Sequence, residues 1–289
     1  MAEKGRIGVQ MMMLKNDVKE KGAYEVFRQL RNMGYTSVEV SQIPMTAENI
    51  REMKRGAEDF GIDITACSAP LCPMHAQDTG ENLESHYGKI VSDLHALGYR
   101  YLRIGMLPYD RMGDAGGFRA FVAEAEETAD RLQKEGISLY YHNHHVDFAK
   151  IGNETMLEYF RRNTETIGFE LDVFWIQRGG ENPIDVIRRF DGRIELLHLK
   201  DYRIRPLTPP EGTEDGLAWQ RQHFNMNVEF AEIGEGNLPM KKIIPEAVAH
   251  GTKEFFIEQD QSYGRTPMES LAISRDNLVS IGFADWFAR

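Results

Sequence analysis

Four short apolar runs in the C-terminal half of the chain each end in side chains able to hold a metal ion. They read Tyr140-Tyr141-His142-Asn143-His144-His145, Glu170-Leu171-Asp172-Val173-Phe174-Trp175, Leu197-His198-Leu199-Lys200-Asp201 and Ile257-Glu258-Gln259-Asp260. A histidine or aspartate at one such end is, by itself, more often a structural hydrogen-bonding group. Here an imidazole, a carboxylate, a second imidazole and a second carboxylate arise from successive runs: His142, Asp172, His198 and Glu258. Mixed nitrogen and oxygen donors from separate elements suit a divalent cation, and two imidazoles favour Mn²⁺, Co²⁺, Zn²⁺ or Fe²⁺ over Mg²⁺. Burying Asp172 beside Glu258 without a cation would be costly, because like charges raise each other's pKa.

These residues must be carried to one place by the elements around them. Strand-like runs cover Ile7–Met12, Ser37–Val40, Asp63–Ser68, Tyr101–Met106, Ser138–Asn143, Gly168–Val173, Glu195–Lys200 and Glu254–Gln259. Helical patterns lie between them, at Ala23–Met33, Ala47–Phe60, Leu83–Leu97, Phe118–Lys134 and Pro183–Phe190. Gly34, Gly61, Gly98, Gly136 and Gly251 fall just past helical runs, where a left-handed cap wants glycine. Strands alternating with helices imply a parallel sheet with right-handed crossovers. Eight units in 289 residues predict an α/β fold of the (β/α)8 TIM barrel type, one domain over residues 1–289, in which strand C-termini converge on a common mouth. A Rossmann sheet would want a glycine-rich turn after the first strand; the chain reads Gln10-Met11-Met12-Met13-Leu14-Lys15 instead. A long connection at about 201–238 breaks the rhythm. It is expected to be a decorated loop with a short helix at Leu217–Phe224, or a lid or subunit contact over the mouth.

Composition narrows the partners. The formal charge is −11, from 45 acidic and 34 basic residues, which repels phosphate backbones. Arg161-Arg162 and Arg188-Arg189 are placed near predicted helix ends, where cations suit the dipole, so no nucleic-acid patch is expected. Cys67 and Cys72 match no disulfide framework or strong zinc pattern and read as reduced thiols. Met1–Arg6 leads straight into a strand-like run with no signal peptide, and no stretch approaches the roughly 18 apolar residues of a membrane helix. A cytoplasmic protein without membrane contact is expected, with a homodimer or hetero-complex left open.

The stretches Tyr141-His142-Asn143-His144, Leu171-Asp172-Val173, His198-Leu199-Lys200-Asp201, Gly234-Glu235-Gly236 and Ile257-Glu258-Gln259 resemble, in content and order, the xylose isomerase-like barrel superfamily. The likeness points to its sugar phosphate isomerase/epimerase branch, which includes ketose epimerases, inosose dehydratases and 3-dehydroshikimate dehydratases. The resemblance implies one divalent ion, often manganese, that polarises a substrate carbonyl and an adjacent hydroxyl, so that a neighbouring C–H is acidified toward an enediolate. Asp172, His198 and Glu258 match three ligand positions. Ketose epimerases carry a glutamate where His142 stands, and many relatives carry a histidine where Trp175 stands. The missing glutamate counts against the symmetrical two-glutamate mechanism and brings a lyase, a dehydratase or oxo-glycoside lyase, close to the isomerase reading.

Within that scheme His144, on the face of His142 by the two-residue period and with a pKa near the working pH, is the expected base. Glu258 shares the role, and His144 as an orienting group is the alternative. Lys200 is placed to bind an enolate oxygen or a phosphate, or simply to neutralise Asp201 or Asp172. Trp175, Glu235 and His145 are expected to contact a small sugar or keto-sugar. Glu39, Ser41, Cys67, Ser68, Arg103 and Tyr109 are lesser candidates at the mouth. Met11–Met13 are expected to be mainly packing, with an adaptable wall as the alternative. The DNA-repair endonucleases of the superfamily need a trinuclear zinc site and a basic groove, which the −11 charge opposes. A non-catalytic barrel subunit is the remaining reading.

Overall fold

In the computed structural model, which describes residues 4–288, eight parallel strands close on themselves. They are β1 (Arg6–Gln10), β2 (Ser37–Val40), β3 (Asp63–Ser68), β4 (Tyr101–Ile104), β5 (Ser138–His142), β6 (Gly168–Asp172), β7 (Leu196–Leu199) and β8 (Glu254–Ile257). Each pairs with its neighbours in the sequence, and β8 returns to β1. The expected (β/α)8 barrel is the fold. Met1–Glu3 of the N-terminal segment read above lie outside the described residues.

The boundaries follow local chemistry. Helices Ala47–Phe60 and Leu83–Leu97 start where Thr46 and Asn82 side chains accept backbone N–H groups. The five predicted caps Gly34, Gly61, Gly98, Gly136 and Gly251 all have φ between 62° and 106°, a region other residues enter only with strain. The first strand stops at Gln10, short of Met12, because the Gln10 side chain accepts the Met12 N–H and winds Met11–Leu14 into a 3₁₀ turn. Met11 and Met13 are buried in the core, as packing. Arg161-Arg162 and Arg188-Arg189 occupy the last turns of their helices.

Alternation sorts each strand into an outer and an inner face. Outward residues such as Leu139, Tyr141, Phe169, Leu171, Leu197 and Phe255 join the shell between barrel and helices. Inward residues stack in layers. Ala66, Tyr140, Leu196 and Phe256 form a small apolar cluster inside the barrel, with Tyr101 against it. One step along the same strands the inward positions turn polar: Arg103, His142, His198 and Glu258. The apolar plug thus supports a polar layer at the C-terminal ends of the strands.

The long connection after β7 folds as an antiparallel hairpin of Asp201–Ile204 with Val228–Ala231, with a helix at Gly216–His223 near its tip. Its base packs on the barrel mouth: Tyr202 and Phe230 lie 5.5 and 5.1 Å, centroid to centroid, from Phe174. The tip helix has no buried residue. Among the described residues no helix is long and apolar enough to cross a membrane.

Candidate functional site

His142 ends β5, Asp172 ends β6, His198 lies on β7 and Glu258 follows β8, so barrel closure aims all four at one point. One ligand atom from each lies within 4.8 Å of every other, and all four residues are buried. The register sets this, since Asp172 pairs with His198 and His198 with Phe256, two residues before Glu258. Asp172 uses Oδ1 to accept from the N–H groups of Phe174 and Trp175, 2.8 and 2.9 Å away, capping the helix Val173–Arg178. Its Oδ2 is buried without a hydrogen-bond partner, and so is Nδ1 of His142. Buried polar atoms are rarely left so. Two orphaned donors within a cluster of two imidazoles and two carboxylates fit a divalent ion.

The electrostatics of these four side chains are compatible with this. Burial, then the neighbouring His198 charge, holds His142 well below the usual histidine range, leaving its lone pair available. Burial pushes Asp172 up to about 7 although Lys200 opposes it. Burial also works against the Glu258 charge, but Lys200 and His198 outweigh it and hold the carboxylate well below its usual range. His198 is the reverse: Glu170, Glu258 and Glu39 overcome burial and keep the ring charged. Binding a cation at its Nδ1, now 2.9 Å from Glu258 Oε2, would displace a proton.

A second acidic layer lies directly beneath. His198 Nε2 is 3.3 Å from Glu170 and 3.4 Å from Glu39. Arg103 reaches the same two carboxylates at 3.1 and 2.8 Å. Glu39, Glu170 and His198 also have the spacing of a metal cluster, but the Arg103 guanidinium already supplies the cation there. The layer holds the His198 ring in place from behind, as carboxylate partners of histidine ligands do. Glu170 was not read from the sequence as a site residue, and Glu39 and Arg103 only as lesser candidates. For Glu170 the signal was present, two residues before Asp172 on the same face of its strand; Glu39 and Arg103 come from strands that carry none of the four.

The remaining candidates fall into two groups. His144 and Lys200 line the cavity above the cluster. The His144 ring lies 4.9 Å from that of His142, but it gets there from the loop after β5, not from the strand. Burial and then the Lys200 charge push its pKa down to about 3. This corrects the expected value near the working pH; the ring is neutral but weakly basic. Lys200 is 2 % exposed. It donates to Glu258 at 3.1 Å and pairs with Asp260 at 2.7 Å and Asp172 at 3.9 Å, which hold the ammonium above its usual range despite burial. Its partners are these carboxylates, whereas Asp201 turns away. Gln10 joins the floor by donating to Glu258 Oε1 at 2.9 Å.

Trp175, His145 and Glu235 do not line the cavity. Trp175 stands behind it, stacked on His145 at 5.1 Å, with Lys200 Nζ 4.9 Å from its ring. His145 is exposed on the far side. Glu235 is a surface residue, paired with Arg265 at 2.9 Å and Arg203 at 3.4 Å. Its flanking glycines have a structural reason: a Cβ on Gly236 would fall 2.1 Å from Asp201 Oδ1, and Asp201 accepts the Gly234 and Leu238 N–H groups to close the insertion. Tyr109 is 61 % exposed. Cys67 is a buried free thiol on the cavity wall, pushed up to about 12 by burial.

Below the mouth, Asp147 is buried and accepts from the Tyr141 hydroxyl at 2.9 Å and the His144 N–H at 2.7 Å. Burial still pushes it up to about 7, above the roughly 3.9 of an unfolded aspartate. The folded state therefore binds this proton more tightly, and the stabilisation is present below pH 7 and lost as pH rises through it. Between pH 8 and pH 6 the group contributes about 1.4 kcal/mol. Urea unfolding at both values is expected to show a gain larger by that amount in the parent chain than in Asp147→Asn; equal gains would refute the assignment.

The sequence from residue 27 to residue 273 matches the family model described as xylose isomerase-like TIM barrel. The chain belongs to this family. Among solved structures, a sugar phosphate isomerase/epimerase from Parabacteroides distasonis superposes with a TM-score of 0.73 at 19% identity, covering 96% of this chain and 99% of that one. A 3-keto-D-glucoside 4-epimerase from E. coli gives 0.64 at 13%, covering 96% and 99%. A probable 3-DHS dehydratase from Bacillus anthracis gives 0.64 at 12%, covering 95% and 98%. At such identities the likeness speaks to the fold. No curated protein matches the sequence.

Proposed function

We propose that this barrel is a divalent-metal-dependent enzyme that removes a proton next to the carbonyl of a keto-sugar, as an isomerase or epimerase. The observation that carries the reading is the convergence of His142, Asp172, His198 and Glu258 within 4.8 Å at the floor of the cavity, two of them with orphaned buried donors. A bound divalent ion, Mn²⁺ by family resemblance with Co²⁺ or Zn²⁺ as alternatives, supplies Lewis acidity toward the substrate's oxygens. The chain's own groups do the rest. His144 faces the cavity uncharged, so it enters each cycle able to accept the proton. A weak base at rest, it strengthens as negative charge grows beside it in the substrate. Lys200, kept as an ammonium, donates toward the oxygen that takes up charge. Glu258, with contacts to Gln10, His198 and Lys200, serves as a ligand; its depressed pKa argues against the shared role of base. The solved structures that superpose here include a 3-keto-D-glucoside 4-epimerase and a probable 3-DHS dehydratase, which supports either outcome of the same proton removal.

The second reading is a lyase, in which loss of a leaving group follows the same deprotonation. His142 in place of a second glutamate, and His144 as the cavity-lining imidazole outside the four-residue cluster, favour one base on one face, which suits elimination as well as isomerisation. Incubation with Mn²⁺ and candidate keto-sugars in D₂O separates them. Deuterium in an isomerised sugar supports the isomerase, and release of water or an aglycone supports the lyase. No exchange and no release with any keto-sugar at saturating Mn²⁺ would overturn both.

A further inference from the structure

The cavity has a second end that the chemistry above does not use. Its volume is about 750 Å³, within the roughly 300–1,000 Å³ of pockets that enclose drug-sized ligands and more than a lone sugar ring fills. At the floor the walls are Gln10, His142, His144, Lys200, Glu258 and Asp260. Past Ser41 and Ser68 they become Met12, Ile43, Met45, Met74, Ile90 and Leu94, from the loops after β1, β2 and β3 and the helix Leu83–Leu97. Ile43, Ile90 and Leu94 are at most 7 % exposed and belong to the core, so this end is preformed. The three methionines in front of them are half-buried. Thioethers adapt to irregular shapes and make favourable contacts with aromatic rings.

Charge decides what this end does not take. Arg103 and Lys200 are the cations among the lining residues. Arg103 is held by Glu39 and Glu170, and Lys200 by Glu258 and Asp260. The ionisable groups nearer the apolar end, Glu81 and Asp93, are acidic and share Lys89. No group there is placed to receive a phosphate or carboxylate.

We propose that the apolar end is a subsite for an uncharged aromatic substituent carried by the reacting sugar, so that the substrate is an oxidised aryl glycoside and not a free or phosphorylated sugar. The inference rests on the reading of the floor as the place where the sugar reacts. Calorimetry on the Mn²⁺-supplemented protein tests it with 4-nitrophenyl and methyl glucosides, each as the parent sugar and its keto form, and with glucose 6-phosphate. The aryl compounds are expected to bind at least about 10-fold tighter than the methyl ones, each tenfold being about 1.4 kcal/mol. Glucose 6-phosphate should gain nothing over glucose. Met45→Glu and Met74→Glu, at half-buried positions, should each cut the aryl preference to below about 3-fold by the same scale. Equal binding of aryl and methyl compounds, binding of neither, or a preference that survives both substitutions overturns the subsite. Aryl preference without proton exchange in any keto-sugar keeps the subsite and removes the chemistry assigned to the floor; exchange without the preference does the opposite.

Discussion

Asp172→Asn is expected to leave the barrel folded while weakening Mn²⁺ binding at least about 100-fold, the upper end of the roughly 10- to 100-fold loss for groups one shell further out, with activity falling at least as far. The two oxygens of Asp172 have separate tasks. Oδ1 caps the helix Val173–Arg178 through two N–H groups, and the amide oxygen of asparagine can keep both bonds. Oδ2 is the orphan that faces the cluster, and an amide nitrogen in its place carries no lone pair for a cation. Because burial already pushes this carboxyl up to about 7, the neutral isostere removes a poorly solvated charge, and stability without metal should hold or rise slightly. Titration with Mn²⁺ followed by melting temperature checks both halves. Unchanged metal affinity in a folded variant would remove Asp172 from the ligand set.

Lys200→Met carries the second large effect, on stability. The ammonium is 2 % exposed and lies among Asp260, Glu258 and Asp172 at 2.7, 3.1 and 3.9 Å. Without it the buried carboxylates of Asp172 and Glu258 face each other with the partly exposed Asp260 beside them, and breaking a buried group by removing one partner typically costs about 3–5 kcal/mol. Methionine fills the volume and keeps contact with Trp175 and Phe230, whose rings lie 4.9 and 5.2 Å from the nitrogen, so the loss is mainly electrostatic. A divalent ion restores positive charge at the same place. The variant is therefore expected to melt well below the parent in chelator and to gain more from Mn²⁺ than the parent does. A loss under about 1 kcal/mol, the scale of an exposed ion pair, and no extra response to metal would show that Lys200 does not balance the cluster.

Asp172 and Lys200 also mark how far the sequence could be read. The sequence shows the cost of burying Asp172 beside Glu258 and offers a metal ion against it, with Lys200 as a neutraliser of Asp172 or Asp201. The structure shows that Lys200 and a charged His198 already offset it in the protein itself. Glu170 shares the two-residue period of Asp172 and was passed over, while Glu39 and Arg103 were candidates for the mouth and lie in the layer beneath it. Glu235 looked like a site residue because glycines flank it, but Gly236 makes room for the Asp201 carboxylate and Gly234 takes a φ of 88°. His144 was expected beside His142 on one strand face; it lies near that ring but from the loop, and its expected pKa was too high because burial and Lys200, both contributed by other parts of the chain, lower it.

Local signals suffice for whatever one element decides by itself. Alternation, helix caps and glycines past helix ends are written in neighbouring residues, and they determined eight strands, their order and which strand ends bear donors. Barrel closure follows from those, and with it the meeting of four donors from separate strands. Charge states, the partner of each carboxylate and the apolar arm of the cavity arise from groups far apart in sequence that only packing brings within a few ångströms. Those were decided by the tertiary structure, because electrostatic and contact energies depend on distance through space and not along the chain.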